Sequence, residues 1–403
     1  MKDKILKTSC CIVGGGPAGL ICGYLLALKG VDVIVLEKHN DFLRDFRGDT
    51  IHPSTLQLLR ELGLLENFLK LPHDKIKQFV LEIGGKNNII ADFSKLKTAC
   101  PYVALMPQWD FLNFISNNAQ KLLKFNLLMN TEAVDLLYED NHVSGVLAYS
   151  DEKYIKIFAS LVIGADGRDS IVRKKSNLEL IKLGAPMDVL WMRVSRLSTD
   201  PDQIMGKVHS GKMLVMINRG KYWQCAYIIS KGSFEKIKKQ GLDKFLDNLL
   251  EVAPFLKERI HELSCWSEIK ILSVSVDRLK LWYKNNLLCI GDSAHAMSPI
   301  GGVGVNLAIQ DAVATANILG DALTKNKDIN FLLKKVQKRR SFPTKVTQKI
   351  QVIIQNKLIN KALHSSKTLS LPWFMRFVLR WQFTRKLIAK KIGLGFRVEH
   401  INL

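Results

Sequence analysis

The nineteen residues from Cys10 to Leu28, CCIVGGGPAGLICGYLLAL, contain five glycines and no charged side chain. Behind Lys2, Lys4 and Lys7 such a run has the outline of a signal peptide or a membrane span. The glycines and Pro17 make a poor continuous helix, however. A strand over about 9–13, a glycine turn, a helix over about 17–29 and a strand over about 32–36 account for it better. Gly14-x-Gly16-x-x-Gly19 then falls at the turn, Pro17 and Ala18 open the helix, and Glu37 follows the second strand. In that context Gly14 permits the tight turn, Gly16 lets backbone amides approach a pyrophosphate, and Gly19 lets the helix pack close to the strand. The helix N-terminus adds partial positive charge, and Glu37 is placed to accept both hydroxyls of an adenosine ribose. This βαβ opening calls for a dinucleotide and fits NAD or FAD equally.

Three later segments bear on the same site. In DFLRDFRGDT, Arg44 and Arg47 stand just beyond Glu37, placed to reach phosphate or ribose oxygens. In LVIGADGRDSIVR, Asp166-Gly167 ends an apolar run that reads as a strand. The segment CIGDSAHAMSPIGGVGVNLAIQDA, residues 289–312, joins a strand-end acid to a glycine loop that enters a helix. Asp292, Ser293 and His295 do not read as a hydrolase triad. Triads gather from separated segments, and the chain has no G-x-S-x-G elbow. No His or Cys partner for His295 lies at a ligand spacing in this segment, so no metal is expected, and no Gly-Lys is followed by the Ser or Thr of a P-loop. What remains is Asp292 directed at a sugar or ribityl hydroxyl, with the loop 301–304 offering amides to an anionic ring edge. The loop is thus the far half of the first site.

At 403 residues, with 47% hydrophobic and 24% charged residues, the chain is long enough for two or so folded domains. We expect a first part of a dinucleotide-binding domain over 1–179, a sheet-rich substrate domain over 180–278, the second part of the dinucleotide-binding domain over 279–325, and a basic helical region over 326–403. A Gly-Gly-Lys-Asn-Asn turn within 79–93 marks a hairpin, and PQWDFLNFISNNAQKLL reads as a helix. Seven cysteines without a C-x-x-C pair, mostly in apolar runs, predict buried thiols in a reducing, cytoplasmic setting. The net charge of +22 is uneven: from Ser341 to the end, twelve Lys and Arg face the single acid Glu399. No RNP-type or zinc-finger pattern accompanies that charge, so a nucleic-acid partner is not expected.

The order of these motifs resembles the class A FAD-dependent monooxygenases, the para-hydroxybenzoate hydroxylase family. GADGRDSIVR and GDSAHAMSPIGGVGVNLAIQDA are similar to its second and third motifs almost throughout. The resemblance runs from about residue 10 to 312 and matches 180–278 only in position and sheet-like character. It implies an α/β fold, with a Rossmann-like FAD-binding domain, an inserted sheet-rich substrate domain and a helical C-terminus. It also implies bound FAD, NAD(P)H as reductant without its own nucleotide domain, and O2. The reduced flavin would take up O2 as a C4a-hydroperoxide and hydroxylate an aromatic or lipophilic small molecule. Glu37 would hold the adenosine ribose, Gly14, Gly16 and Arg47 the pyrophosphate, and Val134 would offer backbone to the adenine. Gln108 would lie near the ribityl chain and Asp292 on its hydroxyls. Pro299 and the stretch from Gly302 through Gly304 and Val305 to Asn306 would line the isoalloxazine. Asp166 would support the flavin site and reductant access.

His52 is the candidate catalytic residue. It follows the Arg47-Gly48 loop, which in the family runs beside the ring, so it is placed to touch substrate or pass protons near neutral pH. The alternative role is that of a helix-entry residue before Pro53. A halogenase would carry a paired W-x-W-x-I, and no two of the seven tryptophans lie two apart. A flavin-dependent reductase of a prenyl or other lipophilic substrate stays open. Trp191, Met213, Met216 and Trp223 hint at a large apolar pocket, or else at core. In the tail, PWFMRFVLRWQFTRKLIAKKI reads as one amphipathic helix. Phe374, Phe377, Val378, Trp381, Ile388 and Ile392 share a side opposite Arg376, Arg380, Lys386, Lys390 and Lys391. Such a helix either packs on the FAD-binding domain or makes peripheral contact with an anionic membrane, at the inner face of the cytoplasmic membrane.

Overall fold

The computed structural model describes residues 4–43, 49–201, 206–363 and 373–402. The elements that build the site are, in chain order, β1 (Lys4–Val13), α1 (Pro17–Leu28), β2 (Val33–Leu36), α2 (Pro53–Glu61), α3 (Gln108–Ala119), β3 (Phe125–Leu128), β4 (Lys153–Gly164), β5 (Leu287–Cys289), α4 (Val303–Thr324), α5 (Asn330–Ile354) and α6 (Gln382–Gly393). The five strands form a parallel core in the order β5-β4-β1-β2-β3. Strands His142–Ser150 and Glu132–Glu139 extend it antiparallel from β4. Uninterrupted apolar runs such as VIVL in β2, buried at every position, are what a parallel sheet covered on both faces requires. α1 packs against α3 and α4, and its buried apolar residues join the strands in the largest core of the molecule.

The register decides where chemistry sits. Val13 pairs with Leu36 and with Gly164, Leu36 with Leu128, and Gly164 with Cys289. The carboxyl ends of all five strands are therefore level, and each turns directly into a predicted site segment. This crevice is where an open α/β sheet binds its ligand.

A second sheet of seven strands stands beyond it. It runs in the order Lys270–Leu272, Met187–Ser195, Tyr222–Ser230, Lys212–Asn218, Gly206–His209, Gln78–Ile83 and Lys86–Asp92. The inserted sheet is thus not confined to 180–278. The hairpin at 78–92, turned at Gly84-Gly85, joins it through parallel pairing of Gly206 with Leu81. Helices Phe234–Lys239 and Leu242–Val252 cover one face, against Leu190, Met192, Met216 and Trp223. The strand period of two sends the alternate residues Val189, Trp191, Met213, Val215 and Ile228 to the other face, toward Ile300 of the glycine loop and Ile359. Of the four residues expected to line a pocket, Trp191 and Met213 lie on the loop side and Met216 and Trp223 are core.

The tail departs from the single predicted helix. Trp381 takes an extended conformation (φ −79°, ψ 122°) and divides Trp373–Arg380 from α6. Ala389 is fully buried, and with Ile388 and Ile392 it packs α6 on the inserted sheet beside Phe93 and Ile217. Phe377, Val378 and Trp381 are exposed instead. The side chain of Phe374 lies outside the described residues, as do Arg44 and Arg47. No helix among the described residues is long and apolar enough to cross a membrane.

Candidate active site

The first loop fits a pyrophosphate. A Cβ at Gly19 would stand 1.9 Å from the Gly14 carbonyl oxygen, so the close approach of α1 to the strand end needs glycine. A Cβ at Gly16 would meet nothing within 4 Å: the loop faces open space there. Gly16 is the N-cap of α1, Pro17 occupies its first turn, and no side chain caps it and no acid lies in that turn. The orphan amides of the first turn, beside Ala18 and Gly19, are left for an anionic ligand.

Glu37 follows β2, and its carboxylate accepts the Gly15 N–H at 3.1 Å and the His39 N–H at 3.2 Å. This locks the acid beside the glycine turn. The same backbone position carries the next segment, since the Glu37 carbonyl accepts the Thr131 N–H at 2.9 Å. Val134 lies three residues further, half-buried in Glu132–Glu139.

Asp166, one residue past β4 and Ala165, accepts the Ile171 and Val172 amides at 2.8 and 3.2 Å. Burial pushes its carboxyl above the usual carboxylate range. Arg168 stands inside GADGRDSIVR, where only Asp166 was given a role, and it is the bridge between two strand ends. Its Nε donates to Asp292 at 3.1 Å and its Nη2 to the Met297 carbonyl at 3.0 Å, while Nη1 is buried without a partner among the described residues. A buried guanidinium N–H left open at the crevice is a donor waiting for an acceptor.

The segment after β5 resolves the Asp/Ser/His question. Ser293 donates to the carbonyls of Gly164 (2.6 Å) and Ile290 (2.7 Å), not to His295. His295 instead meets Asp311 at 2.5 Å, and Arg340 of α5 donates to the other oxygen of Asp311 at 2.9 Å. Burial alone would raise the Asp311 pKa, but His295 and Arg340 together hold it below the ordinary range. These groups are structural clamps on the loop's helix. The partners come from positions 295, 311 and 340, a spacing that carries no local signature.

The glycine loop is built around left-handed residues: Gly301 (φ 76°) and Gly302 (φ 63°), after Pro299. A Cβ at Gly302 would lie 2.5 Å from Thr50 Oγ1. Gly302 caps α4 with no side-chain bond and no acid in the first turn, which leaves the amides near Gly304 and Val305 uncompensated. Its carbonyl accepts from Thr50 at 3.1 Å and pairs with His52 Nε2 at 3.0 Å. The next turn is held by Asn306, whose Oδ1 accepts from Ser54 and, at 3.5 Å, from Thr55.

His52 is therefore held as a fastener at the entry of α2, the alternative role weighed for it. It is fully buried at the N-cap of α2, and burial pushes its imidazole down to about 4. At neutral pH it is uncharged, with Nε2–H donating to Gly302.

Gln108 opens α3 and is buried. Beside it, Asp49 receives the Arg219 guanidinium at 2.5 Å and the Gln224 amide at 2.7 Å, joining the site loop to the second sheet. Burial raises the Asp49 pKa despite Arg219. No sequence signal announces this tie, because Arg219 lies 170 positions away in the inserted region.

Comparison with known proteins bears on the family and the fold. The family model described as "FAD binding domain" matches residues 7–350. The chain is 28% identical to a 6-methylpretetramide 4-monooxygenase of Streptomyces rimosus, over 86% of this chain and 83% of that protein. It spans 60% and 61% of two other curated monooxygenases. The p-nitrophenol 4-monooxygenase of Pseudomonas putida shares its fold at a TM-score of 0.73, 18% identity and coverage of 99% and 100%. A myxobacterial chondrochloren halogenase does so at 0.76, 16% identity and 97% of each chain. Fold likeness at these identities leaves the reaction to the residues.

Proposed function

The chain belongs to the FAD binding domain family, and from that premise we propose a monooxygenase that uses NAD(P)H and O2 to hydroxylate an aromatic or lipophilic small molecule. FAD, when bound, supplies the redox and oxygen chemistry. The protein's part is to bind, orient and keep water out. Glu37 takes the adenosine ribose, the amides around Gly14 and Gly16 take the pyrophosphate together with Arg47, and Val134 lies along the adenine. Gln108 and Asp292 serve the ribityl chain, with Arg168 holding Asp292 in place. Pro299 and residues 302–306 face the ring, where the free amides at the start of α4 suit a developing negative charge.

The observation that carries the substrate class is the sheet face opposite Ile300. Val189, Met213, Val215 and Ile228 form an apolar patch on that face, packed with Ile300, Ile359 and Leu363. An apolar wall favours a neutral ring system over a small anion. The same wall would serve a reductase of a prenyl-type lipophile. Substrate-stimulated NAD(P)H oxidation with simultaneous O2 uptake, followed by 18O incorporation from 18O2, tests the reading. Label in the product is expected. Reduced product with no oxygen uptake would establish the reductase instead.

Peripheral contact with an anionic membrane through the basic tail belongs to the same proposal. Its support is the charge of residues 341–403, twelve Lys and Arg against one acid.

A further inference from the structure

A cavity of about 120 Å³ lies against the glycine loop. Its floor is Ile300, Val303 and Leu307, and its walls are Ile350 and Ile354 of α5 and Ile392 of α6. Ile300 and Ile392 also pack toward the inserted sheet, so the cavity sits beside the wall assigned to substrate. One polar group is aimed into it without a partner. Gln310 is 3% exposed and its Oε1 accepts the Glu399 N–H at 2.6 Å, but its Nε2 has no hydrogen-bond partner among the described residues. An apolar hole with one unpartnered amide NH2 selects a largely apolar molecule carrying an oxygen acceptor.

The mouth of the cavity is unusual for a water-facing surface. Ile350 lines it and is 42% exposed, and Ile353 beside it is 46% exposed. On the opposite lip Lys391 lines the opening, and Leu387 and Phe383 follow it one turn apart along α6, 45% and 74% exposed. Trp381, the N-cap of α6, is 60% exposed. Exposed apolar side chains around an apolar opening mark a docking surface. The charge around them identifies the partner. The single acid of residues 341–403, Glu399, is buried against Arg339 and Arg340, so the basic residues of the lip have no acid of their own segment to answer them.

We propose that this lip inserts into the acyl boundary of an anionic bilayer and that the cavity is loaded from the bilayer with an apolar molecule bearing one oxygen acceptor for Gln310. The inference rests on the membrane contact and lipophilic substrate proposed above. It assigns the inserting residues and the route, with Trp381, Phe383 and Leu387 at lipid depth and Lys391 at the headgroups.

The test uses full-length, FAD-loaded protein with phosphatidylglycerol or phosphatidylcholine vesicles, at low and high salt, some carrying lipids brominated on the acyl chain. Binding to phosphatidylglycerol, weakened by salt, and quenching of tryptophan emission by the acyl bromines are expected. Trp381→Phe should remove most of the quenching, and Phe383→Ser/Leu387→Ser should weaken binding about tenfold with flavin content and melting unchanged. Benzophenone dissolved in the vesicles and irradiated should label peptides covering 300–310 and 391–396, and Gln310→Leu should cut that labelling several-fold. Binding without quenching, or labelling unaffected by Gln310→Leu, overturns the inference and leaves peripheral contact standing. No binding to either vesicle overturns both.

Discussion

On the cofactor side, Val13, Leu36, Gly164 and Cys289 stand level across neighbouring parallel strands, and the residues that follow them converge because the backbone brings them together. On the substrate side, Met213 and Met216 are three residues apart on one strand and face opposite ways, one toward the glycine loop and one into the helix-covered core. The first arrangement is tied to strand ends and glycines and tolerates little change. The second is set by alternation along strands, so each residue on the face toward the glycine loop is placed by its side chain and not by its backbone. The contrast teaches that one scaffold can hold FAD by backbone while its substrate preference is rewritten by side chains.

The sharpest way to break that contrast is at the tightest backbone contact. Gly19→Val puts carbon where the Gly14 carbonyl oxygen already stands, and backbone oxygen cannot step aside. We expect insoluble or flavin-free protein, a loss beyond about 4 kcal/mol. Gly16→Ala is the control, because its Cβ meets nothing within 4 Å. The apoprotein should melt as the wild type does while its flavin affinity falls. Titration of FAD into both apoproteins checks this, and unchanged affinity in Gly16→Ala would remove the pyrophosphate from that space.

The next effect separates the two faces of the inserted sheet. Met216 is 1% exposed within the helix-covered core, so Met216→Ala should cost about 2–5 kcal/mol in denaturant unfolding. Met213→Ala, at a partly buried position on the face toward the glycine loop, should cost less and alter which aromatic compounds stimulate NAD(P)H oxidation. Equal stability losses would mean that the face toward the glycine loop is ordinary core.

The cofactor-side elements were legible because their signals are local. A strand, three spaced glycines and an acid after the next strand lie within residues 9–37, and each glycine role is set by its immediate neighbours. The pairing of Gly206 with Leu81 had no such signal. A hairpin declares its own turn but not the sheet it will join, which depends on contacts more than a hundred residues away. The clamp of His295, Asp311 and Arg340 and the tie from Asp49 to Arg219 were illegible for the same reason. The tail misled in another way. Helical periodicity continues across Trp381, yet α6 turns Ile388 and Ile392 toward the inserted sheet and the chain breaks at Trp381 to do so.

A smaller loss is expected at the ribose acid. Glu37→Ala removes a carboxylate that the Gly15 and His39 amides hold in place. FAD affinity should fall by roughly 1.5–3 kcal/mol, the worth of a hydrogen bond to a charged group. Full flavin content at limiting FAD would sink the assignment of Glu37 to the ribose.

The smallest effect concerns His52, which belongs to the cofactor side by position and to neither by chemistry. Its imidazole is pushed down to about 4 by burial, against 6.5 for an unburied histidine. The unfolded chain therefore takes up a proton that the folded chain refuses, and stability is lost as pH falls through 6.5 toward 4. Between pH 7 and 5.5 this one group should cost roughly 1 kcal/mol, since a tenfold difference in proton affinity between the two states is worth about 1.4 kcal/mol. His52→Gln keeps an N–H donor within reach of the Gly302 carbonyl and does not titrate. Unfolding of both proteins should be followed at several pH values, because the remaining acids contribute alike and cancel in the difference. The wild type should lose more stability, and release flavin sooner, than the variant as pH falls. Parallel curves would mean that His52 takes its proton within the fold, and the proton-passing role at the ring would then return to consideration.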